Sequence, residues 1–394
     1  MSTTHGITES QVHSTIELLI NQLVGLKDKT EEYLYHLPDG RTIDTKSWDG
    51  WDWTHGVGLY GIWKYYELTG KPEHLQIIED WFSNHFKAGS TEKNINTVSV
   101  FLTLAYVYEE TGNKTYLPWL ESWAEWAYHD LPRTEYGGMQ HITYVKTNHQ
   151  QLWDDTLMMT ALPLAKTGML LNRPHYVEEA LRQMLTLIQY LFDKDTGLFF
   201  HGWEFDITES LRAGHNFANA RWARGNSWLT IVIPEMLELL EGGDGSSLSS
   251  SPALGALRSH LINTLTAQCR ALARLQEPSG LWRTLLDCPA SEGSYPEASA
   301  TAGFAYGILK ARRKRILPAD VGSGCAERTY DGIAMAAMKA VLDNVSSDGE
   351  LMQVSFGTGM GDTLQFYKDI KKTAMPYGQA MAIMALAEIL RRFY

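Results

Sequence analysis

Glu67-Leu68-Thr69-Gly70-Lys71-Pro72 decides the fold, because its punctuation returns twice further along the chain. Glu109-Glu110-Thr111-Gly112-Asn113 is the second instance and Leu170-Leu171-Asn172-Arg173-Pro174 the third. In each, an apolar-rich run stops at Gly or Asn, the residues that enter the left-handed conformation just past a helix end. A proline or polar residue then opens the next run. Its apolar positions recur every three or four residues, as on one face of a helix. They are Leu75, Ile78 and Trp81 in the first case, Tyr116, Leu120 and Trp123 in the second, Tyr176, Ala180 and Met184 in the third. The unit is a helical hairpin, repeated at intervals of 42 residues (70 to 112) and 60 residues (112 to 172).

Such a hairpin cannot bury its apolar face alone and must stack on neighbours. An open solenoid or a closed toroid would serve. At about 30 residues per helix with its loop, the chain holds roughly a dozen helices. Twelve helices in six pairs close an all-α, double-layered (α/α)6 barrel, expected here as one domain over residues 1–394. The Gly/Ser-rich segment at about 242–252 reads as a flexible surface loop, because the hairpin pattern resumes at Leu254.

Composition narrows the function. The chain is 44% hydrophobic and 20% charged, with a net charge of 34 − 46 = −12, which argues against a nucleic-acid partner. No run approaches the ~18 apolar residues of a membrane helix, so no membrane partner is expected. Cys269, Cys288 and Cys325 are odd in number and widely spaced, neither a disulfide framework nor a zinc pair. They read as free thiols in a reducing compartment. Met1 to Gln11 lacks a basic region and a cleavage site, so a cytoplasmic protein is expected.

Aromatic and polar residues cluster between the helical runs. The clusters are Trp48-Asp49-Gly50-Trp51-Asp52-Trp53-Thr54-His55-Gly56, Gly137 to His141, Gln151 to Asp155, His201-Gly202-Trp203 and Trp222 to Trp228. They recur just before inner-helix candidates, so in a closed toroid they line one mouth. Aromatic walls with a few polar groups suit a sugar. Asp154-Asp155 heads an apolar helix, and helical neighbours point about 100° apart. One aspartate is expected to cap the helix while the other reacts. His141, His149, His201 and His215 lack the short paired spacing of zinc motifs, so hydrogen bonding is expected of them and no metal or other cofactor. Arg224 admits two readings, a structural arginine on loop carbonyls or a partner for an acidic ligand. Ser355-Phe356-Gly357-Thr358-Gly359-Met360-Gly361 lacks the lysine of a phosphate loop and reads as a turn at a helix start.

Taken in order, these segments resemble the unsaturated rhamnogalacturonyl hydrolases (glycoside hydrolase family 105), related to the unsaturated glucuronyl hydrolases. The resemblance rests on Asn94-Ile95-Asn96-Thr97, Gly137 to His141, Trp153 to Met159, Gly197 to Trp203 and Trp222-Ala223-Arg224-Gly225-Asn226-Ser227-Trp228. Gly280-Leu281-Trp282, Glu297 to Thr301 and Pro376 to Gln379 extend it to most of the chain. It implies an (α/α)6 barrel and a metal-free, cofactor-free hydrolase. The implied substrate is an oligosaccharide ending in a 4,5-unsaturated galacturonyl or glucuronyl residue, attacked by hydration of its double bond. It further implies Asp155 as the catalytic acid and base, and Trp53, His55, Asn96, His141, Trp153, His201, Trp222, Arg224 and Trp228 as substrate contacts. The chain carries amides at Asn94 and Asn96 where many relatives have a second aspartate; an amide keeps the hydrogen bonds but not the charge. Asp155 is then expected to hold its proton near neutrality through burial and the neighbouring Asp154. Another barrel enzyme on sugars (an epimerase or an ordinary glycosidase) and a non-enzymatic helical-repeat protein are the alternatives. A monomer or homodimer is expected.

Overall fold

The computed structural model describes residues 3–4, 6–208, 213–242, 252–322, 324–325 and 328–394, the side chains of 3 and 4 excepted. Most of the segment expected to be a flexible loop, residues 243–251, lies outside the described residues.

Thirteen helices are described: α1 (Glu9–Gly25), α2 (Trp53–Thr69), α3 (Pro72–Ala88), α4 (Val100–Thr111), α5 (Leu117–Glu125), α6 (Leu162–Leu170), α7 (Pro174–Leu191), α8 (Ala223–Gly242), α9 (Pro252–Leu275), α10 (Ala298–Arg313), α11 (Tyr330–Asp343), α12 (Leu364–Lys368) and α13 (Pro376–Phe393). The quoted hairpin turns stand where the punctuation put them. Gly70 and Gly112 both have φ of 64° and Asn172 has φ of 52°. Pro72 and Pro174 open α3 and α7.

Packing closes a ring. Helix α2 packs on α4, α4 on α6, α6 on α8, α8 on α10, α10 on α13, and α13 returns to α2. Outside it, α3, α5, α7, α9 and α11 each cover the inner helix that precedes them, and α1 covers α13. This is the (α/α)6 barrel, closed by pairing the first outer helix with the last inner one; an open superhelix would leave two free ends.

The inner helices depart from the amphipathic expectation. Helix α13 is buried without a break from Pro376 to Leu390, and α2 from Thr54 to Tyr65. They touch ring neighbours on two sides and an outer helix behind, so no face is left for water. Small residues permit this. A Cβ at Gly61 would lie 2.7 Å from the Cα and Cβ of Ala380, so α2 and α13 cross almost backbone to backbone. A Cβ at Gly307 would lie 2.1 Å from the Thr230 carbonyl oxygen. Pro234, four residues on, has no N–H to give that carbonyl, so the gap in the α8 ladder faces α10.

The loops entering the inner helices gather at one end of the ring. They carry Asp52 before α2, Asn96 before α4, Asp155 before α6, Trp222 before α8, Glu297 before α10 and Met375 before α13. The other end is filled by charge. Lys64 of α2 reaches Glu235 of α8 at 3.7 Å, although α2 and α8 stand opposite each other in the ring, so the contact crosses the axis. Lys310 of α10 meets the same Glu235 at 2.8 Å, Arg313 pairs with Glu388 of α13, and Lys166 of α6 lies over the Tyr106 ring of α4.

Candidate active site

Two sequence motifs form one ladder. Gln151–Trp153 pairs antiparallel with Gly202–Phe205, with Trp153 opposite Gly202. One residue on, the Asp154 N–H donates to the His201 carbonyl at 3.0 Å. The tryptophan-aspartate and histidine-glycine-tryptophan signatures are thus the two edges of a single strand pair, and the pairing sets Asp154 and Asp155 against His201. The chain then enters a π-helical turn, Leu157–Ala161, and continues as α6.

Neither aspartate side chain caps that helix, contrary to expectation. The N–H groups of Leu157, Met158 and Met159 bond to the backbone carbonyls of Asp154 and Asp155 instead. The Asp155 carboxylate is held from two sides. His201 Nε2 lies within hydrogen-bond distance of Oδ2 at 3.2 Å and Trp228 Nε1 donates to Oδ1 at 3.1 Å. Asp155 is 8% exposed, whereas Asp154, with 0%, is sealed behind it. Neither Asp154 oxygen has a well-aligned donor. Gly225 makes the room, since a Cβ there would lie 2.1 Å from Asp154 Oδ2.

The electrostatics reverse the expected proton position. Burial raises the Asp154 carboxyl well above the ordinary range, and the adjacent Asp155 charge adds to it. Burial also works against ionised Asp155, but its hydrogen bonds with His201 and with the Asp154 carboxyl outweigh it and hold this carboxyl below its usual range. Two adjacent buried carboxyls share protons as a pair; the one without donors keeps the proton, so Asp154 is the protonated member.

Around the pair, the expected contacts separate into those at the opening and those within the wall. Trp153, 7% exposed, lies parallel to His141 at 4.1 Å, and its indole N–H donates to Gln151. His141 bonds Thr156 through Nδ1 at 2.9 Å, and burial lowers its pKa to about 4, so it is neutral. Trp53 is half-buried, stacked on Tyr377 at 4.5 Å and edge-on to Trp228 at 6.0 Å. Asn96 is half-buried beside the Asn94 turn, which Thr160 ties to the helix through the Ile95 carbonyl.

Four expected contacts are buried and engaged by the protein itself. His55 is fully buried; its Nδ1 accepts the Asp52 N–H in a capping box for α2, and its Nε2 bonds the Ser47 carbonyl at 2.7 Å. Arg224, 0% exposed, donates to the Ser355 carbonyl (2.8 Å), the Ser355 hydroxyl (2.6 Å) and the Phe356 carbonyl (3.0 Å). Both terminal nitrogens are held by a loop, as the structural reading had it, while the buried Nε has no hydrogen-bond partner. Trp222 is buried between His201, 4.3 Å away, and the Arg224 guanidinium, 4.4 Å away. Trp228 is fully buried and reaches the site through its indole N–H.

The loop that Arg224 clamps is more than a turn at a helix start. Residues 355–361 roof the opening: a Cβ on Gly357 would sit 3.1 Å from the Trp53 ring, and one on Gly359 would sit 3.5 Å from Trp153. Met360 packs against Gly202, and Tyr367 behind it reaches His201. Its glycines at every second position, 357, 359 and 361, were the available signal. As for a metal, Asp154, Asp155 and His201 bring one donor atom each within 4.8 Å of one another, while the other three histidines of the sequence reading do not join them. Both Asp155 oxygens already have donors, which a cation would have to displace.

The Glycosyl Hydrolase Family 88 model matches residues 26–393. The unsaturated rhamnogalacturonyl hydrolase YesR of Bacillus subtilis (strain 168) is 32% identical over 346 residues, 86% of this chain and 90% of that one. A solved structure described as a possible GH105 member, from Salmonella enterica serovar Paratyphi A, is 55% identical, covers 100% of this chain and 97% of its own, and superposes with a TM-score of 0.91. An unsaturated glucuronyl hydrolase from Streptococcus agalactiae shares the fold at 17% identity and a TM-score of 0.66, covering 97% and 92% of the two chains.

Proposed function

The chain belongs to glycosyl hydrolase family 88, and from that premise we propose that it removes a 4,5-unsaturated galacturonyl or glucuronyl residue from the non-reducing end of lyase-generated oligosaccharides, as in pectin breakdown. The observation that carries this reading is the stacking of the two carboxyls in depth. An ordinary glycosidase sets two carboxyls on opposite sides of the sugar, about 5–9.5 Å apart. Here Asp154 stands behind Asp155, so a sugar meets one carboxyl. Hydration of a vinyl ether needs only one.

Asp155 delivers the pair's proton to C4, and the positive charge that develops at C5 is shared with the ring oxygen. Ionised Asp155 then takes a proton from water as it adds at C5. The hemiketal opens to a C5 ketone, and the hemiacetal left at C1 expels the aglycone. Between the steps the pair carries one more negative charge, which the hydrogen bonds of Asp155 with His201 and Trp228 stabilise until the proton from water restores it. The inner helices all present their N-terminal ends here, where the partial positive charge of the helix dipole favours an anionic sugar. On a chain of net charge −12, that is a local attraction for a uronate.

The name of the Bacillus relative supports a rhamnogalacturonan-derived substrate. We place the protein in the cytoplasm as one catalytic unit, working as a monomer or homodimer; three buried free thiols support the reducing compartment. No described helix is long and apolar enough to cross a membrane.

The test follows the ultraviolet absorbance of the conjugated double bond in lyase digests of rhamnogalacturonan, ulvan and glycosaminoglycans. Asp155→Asn should cut turnover by about 10²–10⁴-fold with the melting temperature retained. Near-parental loss of absorbance by that variant, or release of an intact saturated sugar, would reject the reading.

A further inference from the structure

His201 is the link between Asp155 and a residue that no motif suggested. Its Nδ1 lies 2.8 Å from the hydroxyl of Tyr367, which is fully buried at the end of the roof loop, in α12. That hydroxyl has a constrained set of neighbours. It accepts the Gly361 N–H at 3.1 Å, so one lone pair is engaged. Its own proton has two acceptors within reach, His201 Nδ1 at 2.8 Å and the Met360 sulfur at 3.6 Å. A thioether is a weak acceptor, so the proton goes to Nδ1. A neutral imidazole that accepts at Nδ1 carries its hydrogen on Nε2, and Nε2 faces Asp155.

We propose that Tyr367 is the positioning residue of this site: its hydroxyl fixes the proton of His201 on Nε2 and so keeps the imidazole donating to Asp155. The inference rests on the reading of Asp155 as the proton carrier. The groups around the chain of contacts agree with it. His201 faces Asp155 and Asp154 from the ladder, His141 across Trp153, Trp222 from the start of α8, and Tyr367 from α12. Burial and the charges of Asp155 and Asp362 raise the Tyr367 phenol, which keeps it a donor. Because Tyr367 also holds Gly361 and touches Met360, the phenol ties the roof over the sugar to the group that moves the proton.

Tyr367→Phe removes one oxygen from a packed ring and tests this directly. Without the hydroxyl, Nδ1 loses its donor, so the imidazole hydrogen is free to move to Nδ1 whenever the carboxyl pair offers its proton to a bare Nε2. Only a protonated carboxyl can answer it, so the pair holds its proton more tightly. We expect the alkaline limb of the kcat/KM profile to move to higher pH and kcat to fall roughly ten- to a hundredfold, with KM little changed. On a His201→Gln background, whose amide donates whatever Tyr367 does, the same change should have no further effect. The nitrogen-15 spectrum of histidine-labelled protein, with His201 assigned by difference against His201→Gln, should report Nε2–H in the parent and its loss in Tyr367→Phe. An unmoved profile, an equal loss of kcat on both backgrounds, or a parental tautomer in the variant would each overturn the proposal. Failure of the parent to consume any unsaturated substrate would instead count against the proposed function, while the tautomer spectrum would still decide the role of Tyr367.

Discussion

At the scale of single residues, the site turns on which of two adjacent carboxyls keeps a proton. Asp155 faces His201 and Trp228 while Asp154 has no well-aligned donor, so the stored proton sits on the buried member, and the reacting member borrows it. Asp154→Asn therefore does more than remove a neighbour. It leaves Asp155 alone with His201 and Trp228, whose hydrogen bonds favour its ionised form. The acid needed for the first step is then scarce at neutrality, so the alkaline limb of the kcat/KM profile should move to lower pH. A profile that superimposes on the parent's would show that Asp154 holds no proton for the reaction. The aspartates and histidines of the site were legible because they stand in short, ordered motifs. The direction of the proton was not, since it depends on donors at Trp228 and His201, 73 and 46 residues away in sequence. Arg224 was half legible: its charge could be read, but the carbonyls that fill its fork lie 131 and 132 residues downstream.

At the scale of elements, the start of α8 shows how one segment serves several neighbours. Trp222 packs on His201, Arg224 clamps the roof, Gly225 admits Asp154, Asn226 bonds both polar backbone groups of Phe199, and Trp228 donates to Asp155. A motif this dense is easy to see in a sequence, but its division between contact and support is not. The roof loop was missed for the opposite reason, because glycine-rich turns are common and its partners are distant. Helix packing gives a separate prediction. Gly307→Ala would set a methyl against the Thr230 carbonyl, a backbone atom that cannot swing aside, so α8 and α10 must part. The expected cost is about 1–3 kcal/mol, measured as a lowered midpoint of urea unfolding. An unchanged midpoint would mean that the two helices do not approach so closely.

At the scale of the whole molecule, the stacked hairpins were legible from three turns, while closure into a ring rested on the estimated count of a dozen helices and on the family resemblance. What could not be read was the filling of its axis. Burial raises Glu235, but Lys310 and Lys64 outweigh that and hold the carboxyl below its ordinary range. Glu235→Gln would leave Lys310 with Glu238 and Lys64 with Glu67 as remaining partners, and should cost about 1–3 kcal/mol at neutral pH. Since the folded value is depressed, the parent's advantage is complete above about pH 5 and fades as pH falls through that value. The unfolding midpoints of the two proteins should therefore converge in acid; a gap that persists or widens there would count against an ionised Glu235. The crossing from Lys64 to Glu235 has a kinetic corollary as well. It makes the barrel a blind alley, so a polymer cannot thread through and only chain ends are admitted. The aglycone, nearest the entrance, departs first, and the freed keto sugar must back out by the route it entered, which makes it the inhibitor to look for when product accumulates.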